Sequence, residues 1–436
     1  MKVKPDFKKL TVSKFSVIFY WLLIIALLGL FFTNDFGLVD IHKTAIISAV
    51  GIDTEDGEVL VTCEVAVPQP SQSGDNIKYT QIQGSGLTIA DAMNEVNSKT
   101  GFYPKLQFCR LVLVGESCKD VQLFRLLGCF YRKNYSELTA LVAMCKGKAS
   151  EMLSYKSPVS DMTSETIRKC ISEEIEKSAN AVTVNLKDIA SLQFSKNKSC
   201  YMPYVEANIP GTSESGGNGE NVGGDPAQSG GQQGGGGQGG QSSQSQGGAG
   251  GGEGGQSGAS AQSGQNGEQM EFTARNTAIF SDGYFKGILD ERQSFALAVL
   301  KDEIRLAVLP CNAGGIHYTI GLKNVHGGVK LKIEDDAPVV TVSFKAKAQI
   351  QGARVMVKPD ETVNDDAVAD HILEGAVKEM EKRFNNLVQT VKETGCDVLG
   401  VNELLYKYHA SRFDELKDGL IDQMETRFEV NIESVN

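Results

Sequence analysis

Several residue patterns that mark common active sites are missing from this 436-residue sequence. It contains five histidines, and none of them has a second histidine or a cysteine at a spacing that binds zinc. Neither a G-x-S-x-G nor an H-E-x-x-H string occurs, which excludes the commonest signatures of serine hydrolases and zinc proteases. We therefore predict no catalytic residues, no metal site and no cofactor.

A surplus of basic residues is also missing. The chain has 43 lysines and arginines against 54 aspartates and glutamates, which gives a net charge of −11. Because nucleic acid recruits proteins largely through positive charge, this balance argues against a nucleic-acid partner.

Paired cysteines are lacking as well. The sequence has nine cysteines, an odd number, and none of them forms a C-x-x-C string. Cys63, Cys109, Cys129 and Cys145 lie in apolar, periodic surroundings, where a thiol behaves as a small hydrophobic group. We predict mostly buried free thiols, with one or two disulfides as the alternative.

One stretch near the N terminus has no charged residue at all. It runs from Phe15 to Phe32 and reads FSVIFYWLLIIALLGLFF. A helix of this length covers about 27 Å, close to the hydrocarbon thickness of a bilayer. Five lysines precede it and Asp35 follows it, so the positive-inside rule places the N terminus in the cytoplasm. We predict a basic cytoplasmic tail over 1–14, a transmembrane anchor over 15–33, and an extracytoplasmic remainder.

The predicted anchor exposes bulky side chains to lipid or to the spans of partner proteins. These anchor residues are Phe15, Ile18, Trp21, Leu22, Ile25, Leu28 and Phe32. A cleaved signal peptide and a buried soluble helix are the alternatives. The apolar core is longer than the roughly 7 to 15 residues of a signal peptide, and the following TNDFGLVD offers no A-x-A-like cleavage site.

Strand and helix patterns alternate from Ile41 to Ala207. Asp56-Gly57 predicts a hairpin turn, and the alternating residues from Glu58 to Val67 predict its second strand. Further strands are predicted at 79–84, 106–114, 137–144 and 201–207, and helices at 88–101, 117–130, 149–153, 161–178 and 186–192. These elements follow no repeated β-α-β period, so we predict the α+β class with a mixed sheet.

A glycine-rich segment interrupts this pattern. Residues 211–267 include 24 glycines and no aromatic residue. Such a composition cannot bury enough apolar surface to offset the entropy of ordering the chain. We predict a disordered linker over 210–268 that divides an α+β domain over 41–209 from a second one over 269–436.

A second set of elements follows the linker. A hairpin is predicted around Asp282-Gly283, and its strands cover 272–280 and 284–289. Further strands are predicted at 315–322, 328–333, 338–352 and 426–432, and helices at 292–304, 364–392, 402–409 and 412–420. Two carboxylate pairs occur here. Asp335-Asp336 fits a turn between strands, and Asp365-Asp366 fits a helix N terminus, where negative charge is favourable.

The order of these elements and several local strings resemble the Ger(x)C family, the C subunits of spore germinant receptors. The strings are Val50-Gly51-Ile52-Asp53, Gly86-Leu87-Thr88-Ile89-Ala90-Asp91-Ala92, Lys146-Gly147-Lys148-Ala149, Asn276-Thr277-Ala278-Ile279-Phe280, Leu289-Asp290-Glu291 and Cys396-Asp397-Val398-Leu399-Gly400. Family members usually carry a lipid-modified cysteine after the signal sequence, and this chain has none there. It also differs at Asn402, where the family has a glycine, and at Phe413, where the family has a tryptophan.

The resemblance implies a membrane-anchored, non-enzymatic receptor subunit at the outer face of the spore inner membrane. It also implies an elongated α+β molecule with several mixed-sheet lobes outside the membrane, and two integral-membrane partners, one of them similar to a transporter. Two other classes stay open at this point. An anchored cell-wall hydrolase would pair two carboxylates that are distant in sequence. An anchored solute-binding protein would close two lobes on a ligand. No residue identifies a ligand-binding site.

Overall fold

The computed structural model describes residues 14–33, 44–69, 76–101, 103–132, 136–160, 162–173, 181–210, 269–302, 304–353 and 368–435. Within these ranges the chain forms two mixed β-sheets with helices packed against them. The predicted α+β class with mixed sheets is therefore confirmed. Most of the predicted N-terminal tail and of the glycine-rich linker lies outside the described residues.

The first element is helix α1, which spans Lys14–Thr33 and contains the predicted apolar run. Its side chains are described from residue 17 to residue 29. Over the part of the chain that the structure describes, no helix combines the length and hydropathy needed to cross a membrane.

The first sheet has nine strands. They are β1 (Thr44–Glu55), β2 (Glu58–Gln69), β3 (Asn76–Gly86), β4 (Tyr103–Lys105), β5 (Leu111–Gly115), β6 (Leu141–Cys145), β7 (Ser199–Asn208), β8 (Glu271–Ser281) and β9 (Tyr284–Leu289). Their order is β3-β2-β1-β5-β6-β7-β8-β9, with β4 also paired to β1. The central strands β1, β5, β6 and β7 run parallel, and the outer strands are antiparallel.

Helices cover both faces of this parallel centre. They are α2 (Ile89–Thr100), α3 (Leu123–Arg132), α4 (Ala149–Ser154), α5 (Thr163–Glu173) and α6 (Leu186–Gln193). Successive side chains of a strand point to opposite faces, so β5 contributes to two layers. Val112 and Val114 pack with α2, α3 and α6, whereas Leu111 and Leu113 pack with α4 and α5. Burial on both faces explains the continuous apolar run of β5.

The predicted turns and caps of this region are confirmed. Asp56 and Gly57 have φ values of 50° and 84°, as a two-residue hairpin between β1 and β2 requires. The Thr88 hydroxyl accepts the Asp91 N–H at 3.2 Å and begins α2. Gly101 ends α2 with a φ of 67°, which is favourable only without a side chain.

Strands β7 and β8 are neighbours in the sheet although the glycine-rich segment separates them in sequence. They pair antiparallel, and Asn208 lies opposite Glu271. The segment therefore leaves and re-enters the sheet at adjacent strands, in the position of a hairpin loop. The division into domains over 41–209 and 269–436 stays a prediction, and the first sheet itself continues across that boundary.

The second sheet has four strands in the order β10-β11-β12-β13. The elements of this part are α7 (Glu291–Leu300), β10 (Leu306–Ala313), β11 (Ile316–Glu334), β12 (Ala337–Ala353), α8 (Asp370–Thr394), α9 (Val401–Tyr408), α10 (Phe413–Leu416), α11 (Leu420–Gln423) and β13 (Glu425–Ser434). Strand β12 buries alternate residues, as predicted, with Phe344 inside and Lys345 and Lys347 exposed. The exposed residues lie on a face of the sheet that α8 does not cover.

Helix α7 joins the two sheets. Its residues from Ser294 to Leu300 are all buried, although a surface helix would bury only one stripe. Gln293 of α7 donates to the Thr390 hydroxyl of α8 at 2.7 Å. Side chains of both sheets belong to one hydrophobic cluster that includes α7. The two sheets therefore share this cluster, and the first sheet has a second cluster on its other face.

Several elements differ between prediction and structure, and three of the differences have a clear cause. The helix expected from residue 117 begins at Leu123, because Glu116–Cys118 forms a short 3-10 turn. The strands expected at 315–322 and 328–333 are one strand, β11, with an irregularity between Lys323 and His326. Strand β10 was not predicted, since its alternation is short and Pro310 interrupts it.

All nine cysteines are free thiols, and seven of them are buried. This confirms the prediction of mostly buried thiols over the alternative with disulfides. Burial raises the pKa of Cys118 to about 11 and that of Cys109 to about 12. Thiols of this kind are almost entirely protonated at neutral pH and therefore react slowly.

Candidate interaction sites

Helix α1 presents apolar side chains to solvent on every side. From Val17 to Gly29 every residue is exposed except the half-buried Ile24. Ile18, Trp21 and Ile25 are 60%, 61% and 63% exposed. Exposed apolar surface of this extent marks a site that associates with a membrane or with another protein.

The predicted anchor residues lie on this helix. Leu22 and Leu28 are 60% and 50% exposed, and Ile18, Trp21 and Ile25 are exposed to a similar extent. The side chains of Phe15 and Phe32 lie outside the described residues. Their role as anchor residues stays a prediction.

A buried carboxylate lies at the C-terminal end of β1. Asp53 is 1% exposed, and its Oδ1 and Oδ2 accept the N–H groups of Ala149 and Ser150, each at 2.9 Å. The Ser117 hydroxyl donates to Oδ1 at 3.3 Å. Asp53 thus neutralises the first free N–H groups of α4, which would otherwise be unpaired in the interior.

A second carboxylate, Glu116, lies beside it at the end of β5. It accepts the Tyr204 hydroxyl at 2.8 Å, the Gly147 N–H at 3.0 Å and the Lys119 ammonium at 2.6 Å. Burial opposes ionisation of Glu116, but these three donors outweigh it and lower the pKa of the carboxyl group. Burial and the bond to Glu116 raise the pKa of Tyr204.

Asp397 plays the same part in the second half of the chain. It is 1% exposed and follows α8 in the string that resembles the family. Its Oδ1 accepts the N–H groups of Gly400 and Val401 at 2.8 Å each, and its Oδ2 accepts the N–H of Asn402 at 2.7 Å. Asn402 makes this contact with its backbone N–H. The presence of asparagine where the family has glycine therefore leaves the cap at the start of α9 intact.

Glu64 of β2 is a third buried acid that fixes a helix. It accepts the Ser48 hydroxyl at 2.6 Å and the Ser164 N–H at 3.3 Å, in the first turn of α5. The Ser164 hydroxyl also donates to Glu64. Asp53, Glu64 and Asp397 each accept three hydrogen bonds from donors of the protein itself, so the fold occupies most of their acceptor capacity.

The other predicted acidic positions have local roles or lie outside the described residues. Asp335 and Asp336 have φ values of 49° and 65° and form the turn between β11 and β12, as predicted. The pair Asp365-Asp366 lies outside the described residues. Among the residues with described placement, no three His, Cys, Asp or Glu side chains are grouped to hold a metal ion.

Sequence reasoning did not identify Asp53, Glu64 and Glu116 as structural acids. Asp53 and Ala149 are 96 residues apart, and Glu64 and Ser164 are 100 apart. One signal in the sequence could have identified them. Each of these carboxylates lies within an apolar strand or directly after one, which indicates a buried acid. Such a residue must find buried donors, but the sequence does not say which ones.

The fold and these contacts define an α+β protein in which two mixed sheets share one core and an exposed apolar helix precedes them. Comparison with known families gives the particular family. Residues 38–207 match the model of the spore germination protein N-terminal domain, and residues 275–435 match that of the spore germination B3/GerAC-like C-terminal domain. The chain belongs to the Ger(x)C family of spore germination proteins.

Two known proteins are similar to the chain. Spore germination protein KC of Bacillus subtilis (strain 168) is 21% identical over 392 residues, which cover 87% of this chain and 85% of that protein. The crystal structure of the GerBC protein matches with a TM-score of 0.49 and 14% identity, over 89% of this chain and 97% of that one.

Proposed function

We propose that this chain is a non-enzymatic, membrane-anchored subunit of a spore germinant receptor complex. The observation that carries the proposal is the match of both halves of the chain to domains of spore germination proteins. The subunit acts through contacts with other receptor subunits, which are integral membrane proteins. It lies at the outer face of the spore inner membrane, with its N terminus in the cytoplasm.

Helix α1 is the proposed anchor. The apolar run from Phe15 to Phe32 that it contains would cover about 27 Å as a helix, close to the hydrocarbon thickness of a bilayer, although the described residues alone do not meet the length and hydropathy of a membrane-spanning helix. Its described residues are exposed on all sides, which water disfavours and lipid accepts. In this account α1 replaces the lipid that anchors other family members, and Phe15, Ile18, Trp21, Leu22, Ile25, Leu28 and Phe32 face lipid or the spans of partners.

The shared core suggests how the subunit contributes to signalling. A nutrient that binds the complex shifts it between two conformations, and a subunit stabilises the conformation with which it makes better contacts. Because α7 connects both sheets through one core, a contact on either sheet constrains the other. The subunit thereby biases the complex toward or away from ion release.

Deletion and replacement of α1 test this function. Deletion of the whole protein is expected to abolish germination with at least one nutrient, because the receptor lacks a subunit. Germination unchanged with every nutrient would contradict the proposal. Replacing residues 1–33 with a lipid-modified signal sequence separates the two roles of α1. Full germination would show that α1 only anchors, and a membrane-bound but inactive protein would show that it also contacts partners.

A further inference from the structure

Strand β13 forms an edge of the second sheet. It pairs with β12 on one side, and within the described residues no strand pairs with its other side. An unpaired edge offers a row of backbone N–H and C=O groups that an extended segment of another protein can pair with.

Helix α8 runs beside this edge. The Phe384 ring of α8 stacks on Phe428 of β13, with ring centroids 6.4 Å apart. The opposite flank of α8 faces β10, because a side chain at Gly375 would approach the Asn312 carbonyl oxygen to 2.9 Å. The flank with Leu373 and Val377 therefore lies toward the free edge of β13.

A groove with an apolar floor separates this flank of α8 from β13. Its volume is about 400 Å³, and Leu373, Val377 and Ile432 form the apolar part of its lining. The helical residues of the groove run from Asp370 to Glu381, a length of about 16 Å along the axis. About five residues in extended conformation span the same distance.

The walls of the groove are acidic. Asp370, Glu374 and Glu381 line it together with a single cation, Lys378. None of these three carboxylates forms an ion pair among the described residues, whereas Glu379, on another side of α8, pairs with Arg383 at 2.9 Å. Three carboxylates and one lysine give the groove a net negative charge. This charge favours a basic ligand over an acidic one.

We propose that this groove binds an extended segment of a partner protein, with alternating apolar and basic residues, by strand addition to β13. The apolar side chains contact Leu373, Val377 and Ile432. Because successive side chains of a strand point to opposite faces, the basic side chains point away from α8 and meet Glu429 and Glu433 on the exposed face of β13. The groove is formed entirely by residues of this chain. Peptide binding can therefore fail while the proposed receptor role stands, and peptide binding can succeed while the receptor role fails.

The test uses the purified full chain in detergent and three fluorescent peptides with blocked ends. The probe alternates lysine and valine over seven residues. The first control peptide replaces each lysine with glutamate. The second keeps every side chain of the probe but carries N-methyl groups on alternate amides, which removes the donors needed for strand pairing. Binding is followed by fluorescence anisotropy with wild type, with the double variant Glu429→Gln/Glu433→Gln and with Glu393→Gln.

The proposal expects saturable binding of the lysine–valine peptide to wild type. Loss of two carboxylates weakens binding about fivefold, because two exposed ion pairs with the peptide are lost. N-methylation weakens it about tenfold or more, because several backbone hydrogen bonds are lost. Glu393→Gln, which removes one negative charge of α8 outside the groove, leaves the binding of the peptide unchanged. Absence of saturable binding, equal binding of the N-methylated peptide, or an equal loss with Glu393→Gln would each overturn the proposal.

Discussion

Asp53 accepts the backbone N–H of Ala149 at 2.9 Å, across 96 residues of sequence. The contact joins the end of β1 to the first turn of α4 and places both in the interior. It also connects two of the strings by which the sequence resembles its family, one ending at Asp53 and the other at Ala149. These strings are therefore parts of one packing arrangement in the first sheet.

Replacing Asp53 should destabilise the fold. In Asp53→Ala the N–H groups of Ala149 and Ser150 lose their acceptor while they stay buried, at a cost of about 1–3 kcal/mol. Chemical denaturation followed by circular dichroism measures the change. Asp56→Asn is the matched control, because Asp56 lies in the exposed turn and asparagine tolerates its positive φ. Equal stability of Asp53→Ala and wild type would show that the cap does not support the fold.

Gly115→Ala tests the close approach of β5 to Asp53. A Cβ atom at residue 115 would overlap the Asp53 Oδ1 and come within 3.0 Å of the Ala149 nitrogen. We expect a loss of about 2 kcal/mol or more, since the carboxylate must move away from its donors. Gly128→Ala on α3 meets no atom within 4 Å and should stabilise the protein by up to about 1 kcal/mol through helix propensity. A neutral Gly115→Ala would contradict the described packing.

Glu116 should make stability depend on pH. Its pKa in the folded protein is lower than its ordinary value, so its stabilising contribution is present above the unfolded-state pKa near 4.5. The contribution is lost as the pH falls through the folded-state pKa. Glu116→Gln should therefore flatten the fall in unfolding free energy below about pH 4.5, and Tyr204→Phe should flatten it partly. Identical acid profiles for wild type and Glu116→Gln would count against this network.

Removal of residues 211–268 should leave the fold intact. The segment lies between β7 and β8, which pair up to Asn208 and Glu271, so a short connection with an Asn-Gly turn can join them. Shortening the loop about tenfold should stabilise the protein by on the order of 2 kcal/mol through loop-closure entropy. Thermal unfolding and the circular dichroism spectrum check the result. A deletion protein that does not fold would show that the segment contributes contacts of its own.

Local signals account for what the sequence could predict. Asp56-Gly57, Asp282-Gly283, Thr88 and Gly101 act within a few residues, and the structure contains each turn or cap at the expected place. Irregular backbone explains the errors. Gly327 and Gly328 suggest a break in β11, but a side chain at Gly327 would overlap the Val299 carbonyl oxygen, so this glycine permits the contact with α7.

Distant pairings could not be read from the sequence. The composition of the linker gives no indication that β7 and β8 are neighbours in the sheet. No local sequence pattern predicts that Glu64 accepts from Ser164 or that Asp397 accepts from three backbone N–H groups. The groove between α8 and β13 depends on the packing of Phe384 against Phe428. Recognition of family strings located Asp53 and Asp397, while their role as caps required the structure.

Co-purification tests the receptor role most directly. The tagged full chain is extracted from sporulating cells in mild detergent, and the proteins that remain bound are identified and quantified by mass spectrometry. We predict that membrane proteins with several spans co-purify in a constant ratio to the chain, and that they are absent from a matched preparation of untagged cells. A chain that is extracted intact and carries no multi-spanning partner would contradict the account.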